Sequence, residues 1–207
     1  MIRIYHLPRF GRSIRVIWLM EELGEPYEVE RAPFPLSDDF RARTGVLAIP
    51  AIDDDGIVMG ESLAILQYLT GRRIQKSIEL GLTVGPNPDP AAYAEHLHWL
   101  HFGEASLMVH AAMFSRIRRL AEETEKTGYG ATACETILQT RLAALEHHLS
   151  DGRPHLTGNA FTIADISVGY ALGYMRLREL DGMFAPSTRA YLERVAARPA
   201  YQAAAAD

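Results

Sequence analysis

Ala48-Ile-Pro-Ala-Ile-Asp-Asp-Asp-Gly56-Ile-Val-Met-Gly-Glu61-Ser62-Leu-Ala-Ile-Leu-Gln-Tyr-Leu69 sets the reading of the whole chain. Its pattern predicts a strand over 49–53, a tight turn at Asp55-Gly56, a second strand over 57–59 and a helix over about 61–72. Pro50 cannot donate to a sheet ladder, so its place in the first strand needs a special reason. Ser62 follows an acid at a helix start, where a hydroxyl, unsatisfied amides and the positive dipole end make a socket for a carboxylate. The two features read as halves of a pocket for a small peptide-like ligand. The simpler reading of Glu61-Ser62 is a plain helix cap, and both can hold at once.

Residues 2–7 alternate as a first strand, and Pro8 to Gly11 break it. Val16, Leu19, Met20 and Leu23 recur at helical spacing over 13–23, with Gly24 as the stop. A second strand is expected over 27–31 and a short helix over 37–44. This order implies a small mixed sheet with helices. Gly81-Leu-Thr-Val-Gly-Pro-Asn-Pro-Asp-Pro90 cannot sustain a helix. The expected organisation is an α/β domain over 1–75, a linker over 76–90 and an all-helical domain over 91–207. Helices are expected over 91–125, 131–149, 162–178 and 187–198, the last closed by Pro199. The third is apolar almost all round, which predicts burial at a domain centre. Thr162-Ile-Ala-Asp165 is a capping-box variant at its start.

With 207 residues and a formal net charge of -5, the chain lacks the basic balance of a general nucleic-acid or anionic-membrane binder. No apolar run approaches the ~20 residues of a membrane span. The first residues enter a strand pattern directly, so no signal peptide is expected. Cys134 is the single cysteine, which rules out an intrachain disulfide and makes a cytoplasmic location the expectation. His96, His98, His101 and His110 lack a fixed third ligand, and the neighbours His147 and His148 do not converge on a helix. No metal site is expected. No phosphate loop and no Gly-x-Ser-x-Gly elbow are present.

Four pieces in this order resemble the cytosolic-type glutathione transferases: Arg12 to Gly24 with Pro26-Tyr27, Ile49-Pro50, Glu61-Ser62, and Phe161-Thr-Ile-Ala-Asp165. The likeness covers essentially the whole chain and is to bacterial serine-type members, similar to tau-like and fungal or bacterial transferases. It implies an α/β plus all-α fold: an N-terminal thioredoxin-like domain with a mixed four-stranded sheet, then an all-helical domain. It implies a cis Pro50, with the backbone of Ile49 pairing with the cysteinyl unit of glutathione. Ser62 would receive the γ-glutamyl carboxylate, and Glu61 would balance the ligand's ammonium group. Many relatives carry a Lys two residues before the proline. Here that position is Ala48, which leaves Arg12, Arg41 or Arg43 for the glycyl carboxylate.

By the same resemblance Ser13, in Ser-Ile-Arg-Val, would stabilise the glutathione thiolate, with Tyr5 as the rival donor. Related bacterial sequences often have a serine nearer the loop, where this chain has Phe10-Gly11. With no cysteine near the first helix, mixed-disulfide chemistry is not implied. The second-substrate pocket would be walled by Phe10, His101, Phe102, Ala105 and Met108. The implied activity is conjugation of glutathione, as co-substrate, to a small apolar electrophile in detoxification. Ether cleavage, dehalogenation, isomerisation and peroxide reduction would use the same thiolate. A non-enzymatic adaptor is the contrasting reading. The family expectation is a homodimer, with no nucleic-acid or membrane partner.

Overall fold

The computed structural model describes residues 1–8, 11–87 and 89–206. The first seven elements are β1 (Ile2–His6), α1 (Ser13–Leu23), β2 (Tyr27–Arg31), α2 (Asp38–Thr44), β3 (Ala51–Asp54), β4 (Ile57–Gly60) and α3 (Ser62–Arg72). The strands form one sheet in the order β2-β1-β3-β4. β1 is parallel to β2 and antiparallel to β3, and β3 is antiparallel to β4. The mixed sheet follows from connection length: α1 allows a parallel crossover, whereas the two-residue Asp55-Gly56 turn forces a hairpin. β3 begins at Ala51 rather than at residue 49, so Ile49-Pro50 lies just outside the ladder.

Side chains of β1 alternate between two packed faces. Tyr5 enters an apolar cluster with Phe40, Val46 and Ala51, while the adjacent His6 reaches Ser13 at the start of α1. α1 is buried along nearly its whole length, from Ser13 to Met20 and at Leu23. Gly24 closes it in the left-handed conformation, φ 60.

Two compact units divide the chain. One comprises Met1–Thr83 with Ala197–Asp207, the other Val84–Ala196. The last eleven residues thus group with the sheet unit instead of ending the helical domain. The reason is α11 (Pro199–Ala205): Pro199 does not close the preceding helix but opens a new one at its first position, where its missing N–H costs nothing. α11 packs on α1. Trp18 meets Tyr201 edge to face, ring centroids 4.8 Å apart. Arg198 clamps Glu22 with bonds of 2.6 and 2.7 Å. A second departure is α4 (Ile74–Glu79), which occupies the start of the expected linker. No Pro or Gly interrupts that stretch before Gly81, and Arg73 and Lys76 both bond Glu25.

The helical unit contains α5 (Pro90–His101), α6 (Val109–Leu120), α7 (Glu123–Lys126), α8 (Tyr129–Leu149), α9 (Ile163–Leu177) and α10 (Pro186–Ala196). Asp89 caps α5 by accepting from the amides of Ala91 and Ala92. Between α5 and α6 the chain widens into a π-helical segment, Phe102–Met108, where a continuous helix was expected. This segment lies against α9. A Cβ on Gly103 would sit 2.4 Å from the Ser167 hydroxyl oxygen and 2.6 Å from its carbonyl carbon, so only glycine permits the approach.

α9 is the buried centre of the unit, as its sequence predicts. The expected capping box is present. The Thr162 side chain accepts from the Ala164 amide, and Asp165 accepts from the Thr162 amide at 2.8 Å. Asp165 is fully buried and also accepts from the Leu156 amide at 3.0 Å and the Tyr191 hydroxyl at 2.9 Å. Burial pushes its pKa up to about 6, while these donors pull the other way. One carboxylate therefore joins the turn before α9, α9 itself and α10.

Gly103→Ala should destabilise the protein by about 1–3 kcal/mol in urea unfolding, because the methyl group meets backbone. An unchanged midpoint would show that the segment can retreat from α9 freely. His96 supplies a pH test: buried at 2% exposure, its pKa is pushed down to about 4 by desolvation. The folded state resists its protonation, so its stabilising effect is complete above pH 6.5 and is lost as pH falls toward 4. Between those limits the native protein should lose more stability than His96→Gln, by up to about 3 kcal/mol. Parallel pH profiles would refute the assignment.

Candidate functional site

The sheet register brings three separated pieces of sequence to one end of the sheet. Ala51 pairs with Tyr5 on one side and with Gly60 on the other. Hence the end of β1, the Ile49-Pro50 dipeptide and Glu61 stand next to one another. The Ile49–Pro50 peptide is cis, as is Phe34–Pro35. Ile49 is half-buried and Pro50 buried.

The helix that starts beside them is unusual at its first turn. No side chain caps α3. Glu61, at its N-cap, is exposed and has a φ of 63, rare for a residue with a side chain. Ser62 is 4% exposed, and its oxygen accepts a 3.1 Å bond from Arg15 Nη1. The Ser62 O–H makes no bond to a described residue and is available to donate. Arg15 has no exposed surface. A buried guanidinium and the positive end of α3 thus converge on one hydroxyl, an electrostatic setting that favours an anion.

Ser13 opens α1 with no exposed surface, and its oxygen lies 2.9 Å from His6 Nδ1. The bond joins the end of β1 to the start of α1 across the intervening loop. At Gly11 a Cβ would stand 2.3 Å from the Leu7 carbonyl oxygen and 2.7 Å from the Ser13 oxygen, so the turn requires glycine there. Arg12, at the N-cap of α1, is half-buried. Tyr5 is 2% exposed, with its ring edge-on to Phe40 at 5.6 Å. Its side chain points to the sheet face opposite His6 and Ser13, because neighbouring residues of a strand alternate. Arg41 and Arg43 are exposed on α2, and Arg43 is paired with Glu30 at 2.6 Å.

The expected pocket walls separate. Phe10 lies outside the described residues. In the helical unit a shallow cavity of about 400 Å³ is lined by His98, His101, Phe102, Ala105 and their neighbours. Met108 is 2% exposed and does not line it. His6 and Arg15 were not singled out from the sequence as site residues. For Arg15 a signal existed: a lone cation inside the apolar run Ile14-Arg-Val-Ile-Trp18 must be buried and must find acceptors.

The mixed four-stranded sheet with its helices and the cis Ile49–Pro50 bond is of the thioredoxin-like class, followed here by a helical unit. Residues 6–77 match the family described as Glutathione S-transferase, N-terminal domain, and residues 129–200 match Glutathione S-transferase, C-terminal domain. The chain belongs to the glutathione S-transferase family. It is 33% identical over 112 residues to Glutathione S-transferase 3 of Schizosaccharomyces pombe, a match that spans 52% of this chain and 43% of that protein. A glutathione transferase structure from Methylococcus capsulatus is similar over 100% of this chain and 98% of its own, with 27% identity and a TM-score of 0.82. A family member from Pseudomonas fluorescens, solved with two glutathione bound, covers 99% of this chain and 92% of its own at 26% identity and a TM-score of 0.80.

Ser13→Ala should destabilise the protein by about 1–3 kcal/mol in urea unfolding, because it leaves a buried ring nitrogen of His6 without this partner. Unchanged stability would show that the contact does not hold the β1–α1 turn.

Proposed function

We propose that this chain is a glutathione transferase that conjugates the glutathione thiolate to a small apolar electrophile. The observation that carries this reading is the uncapped start of α3 beside the cis Ile49–Pro50 bond, with the Ser62 hydroxyl held by buried Arg15. Family membership and the glutathione-bound Pseudomonas fluorescens relative support it. The γ-glutamyl carboxylate would lie on Ser62 and the first amides of α3, and Glu61 would face the ammonium group. The positive φ of Glu61 is a strained conformation of the kind found at ligand clamps. The backbone of Ile49 would pair with the cysteinyl unit as an added strand.

Placement of the thiolate departs from the expectation drawn from the motif. A serine with no exposed surface, bonded to His6, suits a positioning role better than direct contact with sulfur. Tyr5 is packed against Phe40 on the opposite face. We assign the thiolate to the N-terminal end of α1, stabilised by its dipole and by the charge of Arg12, while Ser13 and Gly11 set the turn. His101, Phe102 and Ala105 remain the proposed apolar walls for the electrophile. Among the described residues no helix is long and apolar enough to cross a membrane. A cytoplasmic homodimer is part of the same proposal.

Calorimetry with reduced glutathione should show binding that weakens about tenfold in Ser62→Ala, the cost of one charge-assisted hydrogen bond. No binding by the native protein at millimolar glutathione would overturn the reading. Arg12→Ala should move the acid limb of the kcat/KM profile up by about one pH unit, because the thiol loses a nearby cation. Tyr5→Phe should leave that limb in place. The reverse pattern would return the thiolate to Tyr5.

A further inference from the structure

At the end of the helical unit a cavity of about 340 Å³ is lined by Ser115, Arg118, Arg119, Leu177, Arg178, Glu179 and Leu180. Three guanidiniums face it against one carboxylate, in a protein whose formal net charge is -5. Neither Arg118 nor Arg119 forms an ion pair with any described residue. Arg118 stacks over the Phe114 ring at 5.7 Å, a contact that leaves the edge of its planar group for hydrogen bonding, and Arg178 stacks over Tyr174 at 5.2 Å.

Arginines at the ends of helices often serve only to complement the dipole or to bond the last carbonyls. Here the Arg118 and Arg119 side chains bond no carbonyl of a described residue, and several end carbonyls are engaged by backbone. At the end of α9 the amide of Arg178 bonds Tyr174 and Met175, that of Glu179 bonds Arg176, and that of Leu180 bonds Met175. At the end of α6 the Ala121 amide bonds Ile117. Glu179 takes a φ of 58 to complete this closure and turns Leu180 inward to 2% exposure. The Arg118 and Arg119 guanidiniums therefore do not act as caps, and both stand beside the cavity without an anionic partner among the described residues.

We propose that this cavity binds a small organic oxyanion with two or more negative charges, a phosphate monoester or a di- or tricarboxylate. Guanidinium forks match the paired oxygens of both groups. The volume lies at the lower end for small-molecule sites, and Leu177 and Leu180 supply an apolar wall for a short carbon skeleton. The site belongs to the helical unit by itself and does not depend on glutathione binding in the sheet unit.

The test is calorimetric titration of the full chain with citrate and, separately, with glycerol 3-phosphate. Ionic strength is matched with sodium chloride, and each run is made with and without saturating reduced glutathione. The expected result is binding of at least one ligand, whose identity separates the carboxylate from the phosphate source. Affinity should fall about tenfold in Arg118→Ala or Arg119→Ala, the loss of one charge-assisted contact, and hold in Arg116→Ala. Arg116 is an exposed arginine of the same helix that does not line the cavity, so it controls for net charge. Three results would overturn the site: neither ligand exceeding chloride, equal weakening by Arg116→Ala, or displacement of the anion by glutathione. Absence of glutathione binding would leave the citrate and phosphate results intact and would count only against the transferase reading.

Discussion

A guanidinium with no exposed surface governs the sheet unit. Removing a charge from water costs several kcal/mol unless hydrogen bonds replace the lost hydration. Arg15 lies inside the apolar run of α1, so helix packing carries it into the interior. Its bond to Ser62 ties the first turn of α1 to the first turn of α3. That tie sets where the uncapped amides of α3 stand relative to β3 and to Ile49–Pro50. The same buried contact that satisfies a charge thus fixes the uncapped start of α3. α11 completes this arrangement by covering α1, with Trp18 against Tyr201 and Glu22 clamped by Arg198.

The helical unit is organised by another buried charged group. Asp165 gathers donors from Leu156, Thr162 and Tyr191, so a turn and two helices share one carboxylate. Around α9 the packing is close enough that Gly103 must approach the backbone of Ser167 without a side chain. The π-helical segment is the accommodation: a locally widened helix lets α5 and α6 follow one another while the glycine meets α9. Both units therefore place a buried ionic group where a helix must be held in one position.

Much of this was legible in the chain. The Asp55-Gly56 turn, the alternation of β1, the glycine after Leu23 and the Thr162–Asp165 box are local signals with local causes, and each element formed where its pattern placed it. The proline at position 50 and the acid-serine pair were legible as features that needed a special reason. What joined them was register: Ala51 opposite both Tyr5 and Gly60. The burial and direction of Ser13 and Tyr5 were not legible. A motif names a hydroxyl near a helix start but does not say whether it faces the ligand or, as with Ser13 and His6, the interior.

Sequence by itself determined the strands and main helices of the sheet unit, the buried helix over 163–177 and the connection lengths that make the sheet mixed, because these depend on propensity and periodicity within a few residues. Only the tertiary structure decided that Pro199 starts a helix on α1 instead of ending one, that Arg15 holds Ser62, that Tyr5 and Ser13 point to opposite faces, and that Arg118, Arg119 and Arg178 surround one cavity. The physical reason is common to all four. Burial and charge compensation are satisfied by partners distant in the chain, and a residue's nearest neighbours in sequence carry no record of which partner that is.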